Sequence, residues 1–261
     1  MLGRSRTLLL ETLRGGQSSK RYFTMVKTPP VAFPFDPPKV PTVKIHDPTG
    51  DAEMAFPVHR IFCVGRNYAD HIREMGGDPK RSKPVFFTKP SSAVVPTKSE
   101  ISYPLATSNL HYEVELVIAI GKEGVQIPVS LAQSYVYGYA VGIDLTRRDL
   151  QSMAKDKGLP WDAAKALDQG APISSITPTS TLPIQDANIS LTVNGKEQQS
   201  GNLNQMIWSV PEIISELSHL FHLQAGDLIF TGTPHGVGPI VAGDHIKGMV
   251  DGLEDIEFTL I

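Results

Sequence analysis

Apolar and β-branched residues recur along most of this chain in short runs bounded by glycine and proline, which is the rhythm of strands rather than helices. Strand patterns fall at 58–64, 85–95, 110–121, 137–145, 189–194, 227–231 and 256–260. Asn194-Gly195, directly after Ile189-Ser190-Leu191-Thr192-Val193, predicts a tight hairpin, because both turn positions need a positive φ that Asn and Gly tolerate. Helical spacing is confined to about 67–75, 147–157 and 210–221. In the last of these Pro211 suits a first turn, and Ile213, Ile214, Leu217, Leu220 and Phe221 form an apolar stripe. Strands outnumber helices and do not alternate with them. The pattern therefore argues against a Rossmann or TIM-barrel architecture and predicts a mainly β domain with a few covering helices.

The N-terminal part breaks this rhythm. Residues 26–57 hold Pro29, Pro30, Pro34, Pro37, Pro38 and Pro41 and read as an extended arm, since proline removes the N–H that a central strand or helix needs. The regular domain is expected over 58–261. In residues 1–25, Arg4, Arg6, Arg14, Lys20 and Arg21 face the single acid Glu11, with Leu8, Leu9, Leu10 and Leu13 on an apolar side. That is the composition of a mitochondrial transit peptide; a tail without an address is the alternative. The expected location is mitochondrial if this leader is read, and cytoplasmic otherwise.

Composition narrows the partners. The 261 residues are 41% hydrophobic and 20% charged, enough for one large domain with a small extension. The net charge is −3, with no basic block in the body of the chain, which argues against nucleic acid as a partner. No apolar run approaches the length of a membrane span. The single cysteine, Cys63, excludes an intrachain disulfide framework and a multi-cysteine zinc site. It is expected to be a small buried strand residue.

The candidate chemistry begins at His111-Tyr112-Glu113-Val114-Glu115-Leu116. Side chains alternate along a strand, so Glu113 and Glu115 share a face with Val117 and Ala119, opposite Val114, Leu116, Ile118 and Ile120. Both faces look buried, and two like charges there are costly without a cation between them. Asp144, after the apolar run Tyr139-Ala140-Val141-Gly142-Ile143, reads alone as a helix N-cap. Beside the two glutamates it reads as a third ligand. Three carboxylates suit Mg²⁺ or Mn²⁺, with Ca²⁺ a further option. Zinc is the second choice, since only His111 offers a nitrogen.

Three further features carry chemistry only in company. His71 and Glu74 are neighbours on one helix face, so the carboxylate can fix the imidazole as a base for water; alone, such a pair is an ordinary surface contact. Lys89, after Phe86-Phe87-Thr88, and Lys165, after Trp161-Asp162-Ala163-Ala164, stand in apolar segments. Each needs an anionic partner or must reach water. The loop Thr231-Gly232-Thr233-Pro234-His235-Gly236-Val237-Gly238 could present N–H groups and the Thr233 hydroxyl to an anion, though it lacks the lysine of a P-loop.

Together these segments resemble the fumarylacetoacetate hydrolase family. The matching motifs are Gly65-Arg66-Asn67-Tyr68 with His71 and Glu74, Lys89-Pro90, His111-x-Glu113-x-Glu115, Asp144-x-Thr146-x-Arg148-Asp149-x-Gln151, Gly158-Leu159-Pro160-Trp161 with Lys165, and Thr231-Gly232-Thr233-Pro234 with Gly236-Val237-Gly238. They fall in family order over 58–261. The Pro-rich arm and the segment Phe56 to Tyr68 most resemble the fumarylpyruvate hydrolase branch, with the acylpyruvase and oxaloacetate decarboxylase branch close behind. The resemblance implies a mixed β-sandwich roll, a homodimer, and Mg²⁺ or Mn²⁺ on Glu113, Glu115 and Asp144. It implies that the helix bearing His71 and Glu74 is a lid. The expected activity is metal-dependent hydrolysis of a carbon–carbon bond in acylpyruvates. His71, Glu74 and Lys165 would be catalytic, and Arg148, Gln151 and Thr233 would hold the 2-oxo acid. The alternatives are an oxaloacetate decarboxylase, an isomerase or hydratase of the same family, or a non-catalytic metal-binding scaffold.

Overall fold

The computed structural model describes residues 33–46, 54–76, 78, 83–178 and 186–261. The transit-peptide reading of residues 1–25 lies outside them. Contacts divide the chain into residues 1–39 and residues 40–261. Of the first unit, residues 33–39 are exposed and carry neither strand nor helix.

In the second unit regular structure begins at Thr42 rather than near Val58. Thr42–Lys44 pairs antiparallel with Ala55–Pro57, and Val43, Ile45 and Phe56 are buried. This small hairpin falls inside the segment expected to be a featureless arm. The prolines dominate that segment's composition and hide the alternation of Val43 and Ile45 with polar residues.

The main sheet is mixed. Its strands lie in the order Phe86–Lys89, Ile61–Val64, Leu228–Phe230, Val114–Ile120, Val136–Ile143, Ala171–Ile173 and Val94–Pro96, with Thr177–Pro178 also on Val136–Ile143. Two of its pairings are parallel, Leu228–Phe230 on Ile61–Val64 and Ala171–Ile173 on Val94–Pro96. A second sheet runs Lys196–Asn202, Asn188–Val193, His245–Val250, Ile256–Leu260 and Ser99–Ile101. Asn194 and Gly195 take φ of 51° and 78° in the hairpin between the first two, as the turn signal predicted.

Strand alternation decides where the cores sit. On Val114–Ile120, Val114, Leu116, Ile118 and Ile120 enter the large core, shared with Ile189, Leu191, Ile246 and Phe258 of the second sheet. Val117 and Ala119 enter a smaller core on the other face, with Ile61, Cys63, Ala140 and Phe230. Burying both faces explains the unbroken apolar run. Cys63 is fully buried, and that burial, with Asp144 and Glu115 adding to it, pushes its thiol well above its ordinary pKa. The helix Val210–Leu220 closes the large core with Ile213, Ile214 and Leu217. Leu220, expected in that stripe, is 64% exposed; Phe221 instead lies against Phe62, with ring centroids 4.9 Å apart.

Two expected strands are interrupted. The run 85–95 breaks at Pro90 into Phe86–Lys89 and Val94–Pro96, since proline offers no ladder N–H. The run 110–121 breaks at Glu113: Leu110–Tyr112 belongs to a separate three-stranded sheet, and only Val114–Ile120 to the main one. The Val114 N–H, at that break, bonds the Gln199 side chain at 3.0 Å.

Gly142 sits opposite Glu115 on the adjacent strand. A Cβ there would lie 2.5 Å from Phe230 and 2.6 Å from Val117. Both belong to the smaller core, so overpacking is unavoidable. Gly142→Ala is expected to destabilise the fold by ~1–3 kcal/mol, read as a lower urea midpoint. An unchanged midpoint would show that this core yields without cost.

Candidate active site

Glu113, Glu115 and Asp144 converge. Strand pairing sets Val114 opposite Ile143 and Glu115 opposite Gly142, and the Asp144 N–H donates to the Glu113 carbonyl at 2.8 Å. One carboxylate oxygen from each residue lies within 4.8 Å of the others. The three are only 5%, 2% and 0% exposed. Asp144 is not a helix cap: the helix Arg148–Lys157 starts after it, with Arg147 at its N-cap.

The acids do not lack counter-charge, as alternation alone suggested. Lys165 Nζ lies 2.7 Å from Glu113 Oε2, 2.6 Å from Asp144 Oδ2 and 2.6 Å from Thr146 Oγ1, which uses all three of its N–H groups. Arg148 donates to Glu113 Oε1 at 2.6 Å and to Gln151 Oε1 at 2.5 Å. Lys89 is buried rather than snorkelling. Its ammonium is 2.8 Å from Asp144 Oδ1, but its directed hydrogen bonds run to the Leu145 and Lys165 carbonyls at 3.0 and 2.5 Å. Asp144 Oδ1 is thus buried, near a cation, with no hydrogen-bond donor among the described residues aimed at it.

The environments of the two glutamates diverge. Burial alone would raise the Glu113 pKa, but Lys165 and Arg148 outweigh it and hold the carboxyl well below its usual range. Glu115 has no ion pair among the described residues; it accepts the Gly232 N–H at 2.7 Å. Burial, then Asp144 and Glu113, push its pKa well up. At neutral pH this carboxyl calls for a proton or a further cation. An all-oxygen donor set with one under-satisfied carboxylate oxygen fits Mg²⁺, Mn²⁺ or Ca²⁺. His111 stands apart from the cluster. Its Nε2 faces Asn109 Oδ1 at 2.9 Å, and its Nδ1 accepts from Arg148 Nε at 3.4 Å. Burial and then the Arg148 charge lower its pKa to about 4.

The dyad forms on the helix Ala69–Glu74. His71 Nδ1 lies 3.2 Å from Glu74 Oε2. Burial lowers the His71 pKa, and the opposing pull of Glu113 and Glu74 does not cancel it. The imidazole is therefore neutral at neutral pH. A Nδ1–H donated to Glu74 leaves Nε2 free to accept a proton. Glu74 is steadied in turn by the Gly236 N–H, 3.0 Å from Oε1 and 3.2 Å from Oε2. Gly236 has φ +94°, and a Cβ there would lie 2.2 Å from the Gln198 carbonyl. Only glycine fits this seat. Asn67 fixes the start of the helix, donating to the Thr231 carbonyl at 2.8 Å and accepting the Trp208 N–H at 2.7 Å.

A cavity of about 150 Å³ joins the two halves; His71, Glu113, Arg148, Gln151 and Lys165 all line it. Thr233, expected to touch the substrate, is not on that wall. It is buried, and its hydroxyl accepts from Gln199 Nε2 at 2.8 Å. Gln199 also donates to the Pro234 carbonyl at 2.9 Å, so it ties the loop to the start of the strand Val114–Ile120. Sequence reasoning missed Gln199, the one buried residue of the exposed strand Lys196–Asn202. It also gave no site role to Lys89, whose signal was its place in an apolar run, or to Arg66 and Lys155, which line the cavity too.

Residues 60–261 match the family model described as Fumarylacetoacetate (FAA) hydrolase C-terminal. A fumarylpyruvate hydrolase of Ralstonia sp is 49% identical over 175 residues, 67% of this chain and 91% of that protein. The mitochondrial oxaloacetate tautomerase FAHD1 of Mus musculus is 46% identical over 201 residues, 77% of this chain and 90% of that protein. Among solved structures, the fumarylpyruvate hydrolase of Pseudomonas aeruginosa in complex with Mn²⁺ and pyruvate superimposes with a TM-score of 0.85 at 46% identity, covering 88% of this chain and 99% of that one.

Altering a residue that merely orients a metal ligand costs about 10–100-fold in affinity. Glu113→Gln removes a charge from the candidate ligand set outright and is expected to weaken Mg²⁺ or Mn²⁺ binding at least that much by calorimetry. Unaltered affinity would contradict the ligand assignment.

Proposed function

The chain belongs to the fumarylacetoacetate hydrolase family, and on that premise we propose that it hydrolyses a carbon–carbon bond in acylpyruvates, 2,4-dioxo acids of which fumarylpyruvate is the preferred example. The observation that carries this reading is the sharing of one cavity by a neutral His71 and the edge of the carboxylate cluster at Glu113. A hydrolase needs a water-activating base facing an electrophilic carbonyl, and a decarboxylase does not.

Glu113, Glu115 and Asp144 would hold Mg²⁺ or Mn²⁺, which when bound supplies Lewis-acid polarisation of the substrate's oxygens. Arg148 and Gln151 orient the 2-oxo acid end from the cavity wall. His71 Nε2 takes a proton from water, with Glu74 holding the imidazole in the required tautomer. The hydroxide adds to the distal carbonyl carbon. The bond between that carbon and the methylene then breaks, and its electron pair becomes the enolate of pyruvate. Lys165 lies beside that developing charge as a fixed cation. Its three N–H groups are held by Glu113, Asp144 and Thr146. His71 finally returns its proton to the methylene carbon, giving pyruvate and the acid.

The likeness to an oxaloacetate tautomerase supports a second reading, in which His71 moves a proton between carbon and oxygen of oxaloacetate and no water is consumed. We further propose a homodimer, and delivery to mitochondria through residues 1–25. A reporter carrying only those residues should accumulate in mitochondria; a cytosolic reporter would refute that address.

The test of the hydrolase reading is pyruvate release from fumarylpyruvate, acetylpyruvate and oxaloacetate, with and without Mg²⁺. Release from none of the acylpyruvates overturns it. His71→Ala is expected to lower kcat by about 10²–10⁴-fold with metal affinity retained. His71 must be neutral to act, and burial holds its pKa below the ordinary 6.5. Activity should therefore fall on acidification only below about pH 6.5, and His71→Ala should abolish that limb. A limb centred well above this value would remove His71 as the base.

A further inference from the structure

The cavity wall carries more positive charge than the carboxylate cluster consumes. Four cations line it, Arg66, Arg148, Lys155 and Lys165. Two are spent: Lys165 on Glu113, Asp144 and Thr146, and Arg148 on Glu113, Gln151 and His111. The other two, Arg66 and Lys155, have no carboxylate partner among the described residues.

Arg66 and Lys155 share this one cavity wall, and Trp161 packs beside it. Its ring packs against Gly65, the neighbour of Arg66, so closely that a Cβ on Gly65 would lie 3.1 Å from Trp161 Cζ3. Lys155 Nζ stands over the same ring, 5.5 Å from its centroid. Lys155 is half-buried, and burial, then Arg148 and Arg66, lower its pKa. A partly desolvated ammonium among like charges is a poor resting arrangement unless an anion joins it. The interior does not supply that anion, because Glu113 and Asp144 are already ion-paired with Lys165, Lys89 and Arg148.

We infer that Arg66 and Lys155 form a second anion subsite that takes a carboxylate at the far end of the substrate. The enzyme then selects acylpyruvates whose acyl group itself ends in a carboxylate over those with an alkyl acyl group. This rests on the acylpyruvate reading of the site, which places the 2-oxo acid end at Glu113, Glu115 and Asp144. The distal end then faces Arg66 and Lys155 on the wall of the same cavity. An alkyl tail there would leave both cations unmatched, whereas a carboxylate would receive two charge-assisted donors.

The test compares the Mg²⁺-loaded wild type with Arg66→Gln and Lys155→Gln. Both residues reach solvent, so neither change strains the core. Turnover is read as the ratio of kcat/KM for fumarylpyruvate to that for acetylpyruvate. The ratio should fall by about 10-fold or more in each variant, the scale of one charged hydrogen bond, chiefly through KM. Binding is read separately by calorimetry with 2-oxoheptanedioate and 2-oxoheptanoate. These share the chain length of fumarylpyruvate, lack its 4-oxo group and so are not cleaved. The wild type should prefer the diacid, and each variant should lose most of that preference. Absence of a diacid preference in the wild type, or its survival in both variants, overturns the subsite even if acylpyruvates are cleaved. A diacid preference lost in the variants supports the subsite even if no acylpyruvate is cleaved, and then only the hydrolase reading fails.

Discussion

Three carboxylates held out of water within reach of one another dominate this structure. Leaving any of them unpaired in the interior costs several kcal/mol, more than most single contacts return. Lys165 and Lys89 reach them from two separate segments, and Lys89 is the last residue of the strand that breaks at Pro90. Arg148 arrives on the helix that starts just past Asp144. The short helix Asp162–Lys165 has little apolar surface of its own, and its last residue carries the ammonium that bridges Glu113 and Asp144. Much of the irregular structure around the main sheet thus exists to bring positive charge inward.

Compensation is uneven, and that gives the site its chemistry. Glu113 is doubly paired and firmly ionised, whereas among the described residues Glu115 accepts a backbone N–H and has no ion pair. A uniformly neutralised cluster would be a structural knot. This one keeps a residual demand for a cation on the side of Glu115, while the cavity on the side of Glu113 keeps a surplus of positive charge. A cation and an anion entering this small space would therefore meet opposite electrostatic appetites.

Much of the arrangement was legible in the residues. The alternation on Val114–Ile120 identified two buried faces, and the structure fills them with two different cores. Glu113, Glu115 and Asp144 announced themselves as charges where charge is costly, and Lys89 and Lys165 as cations in apolar runs. The partners of these groups were not legible, because pairing across segments depends on the fold and not on spacing. The break at Glu113 is marked by Gln199, which lies in a strand whose other residues are largely solvent-facing, so nothing nearby in sequence signals it. The hairpin at Val43 and Phe56 was concealed by prolines, and the hydrogen bond that the Thr233 hydroxyl accepts from Gln199 has no signal in the spacing. The spacing of His71 and Glu74 showed that they could meet. Only burial shows that the imidazole stays neutral.

Cys63 is the chain's only cysteine, fully buried, with a thiol held protonated by its surroundings. Toward a maleimide or a disulfide reagent the folded protein should therefore behave as though it had no cysteine at all. A single thiol engineered at an exposed position of the helix that carries the dyad, such as Asp70, could take a fluorophore or spin label without removing the native residue. Movement of that helix would then be observable in an otherwise unaltered molecule. Cys63 itself, once it reacts, would time the opening of the main sheet.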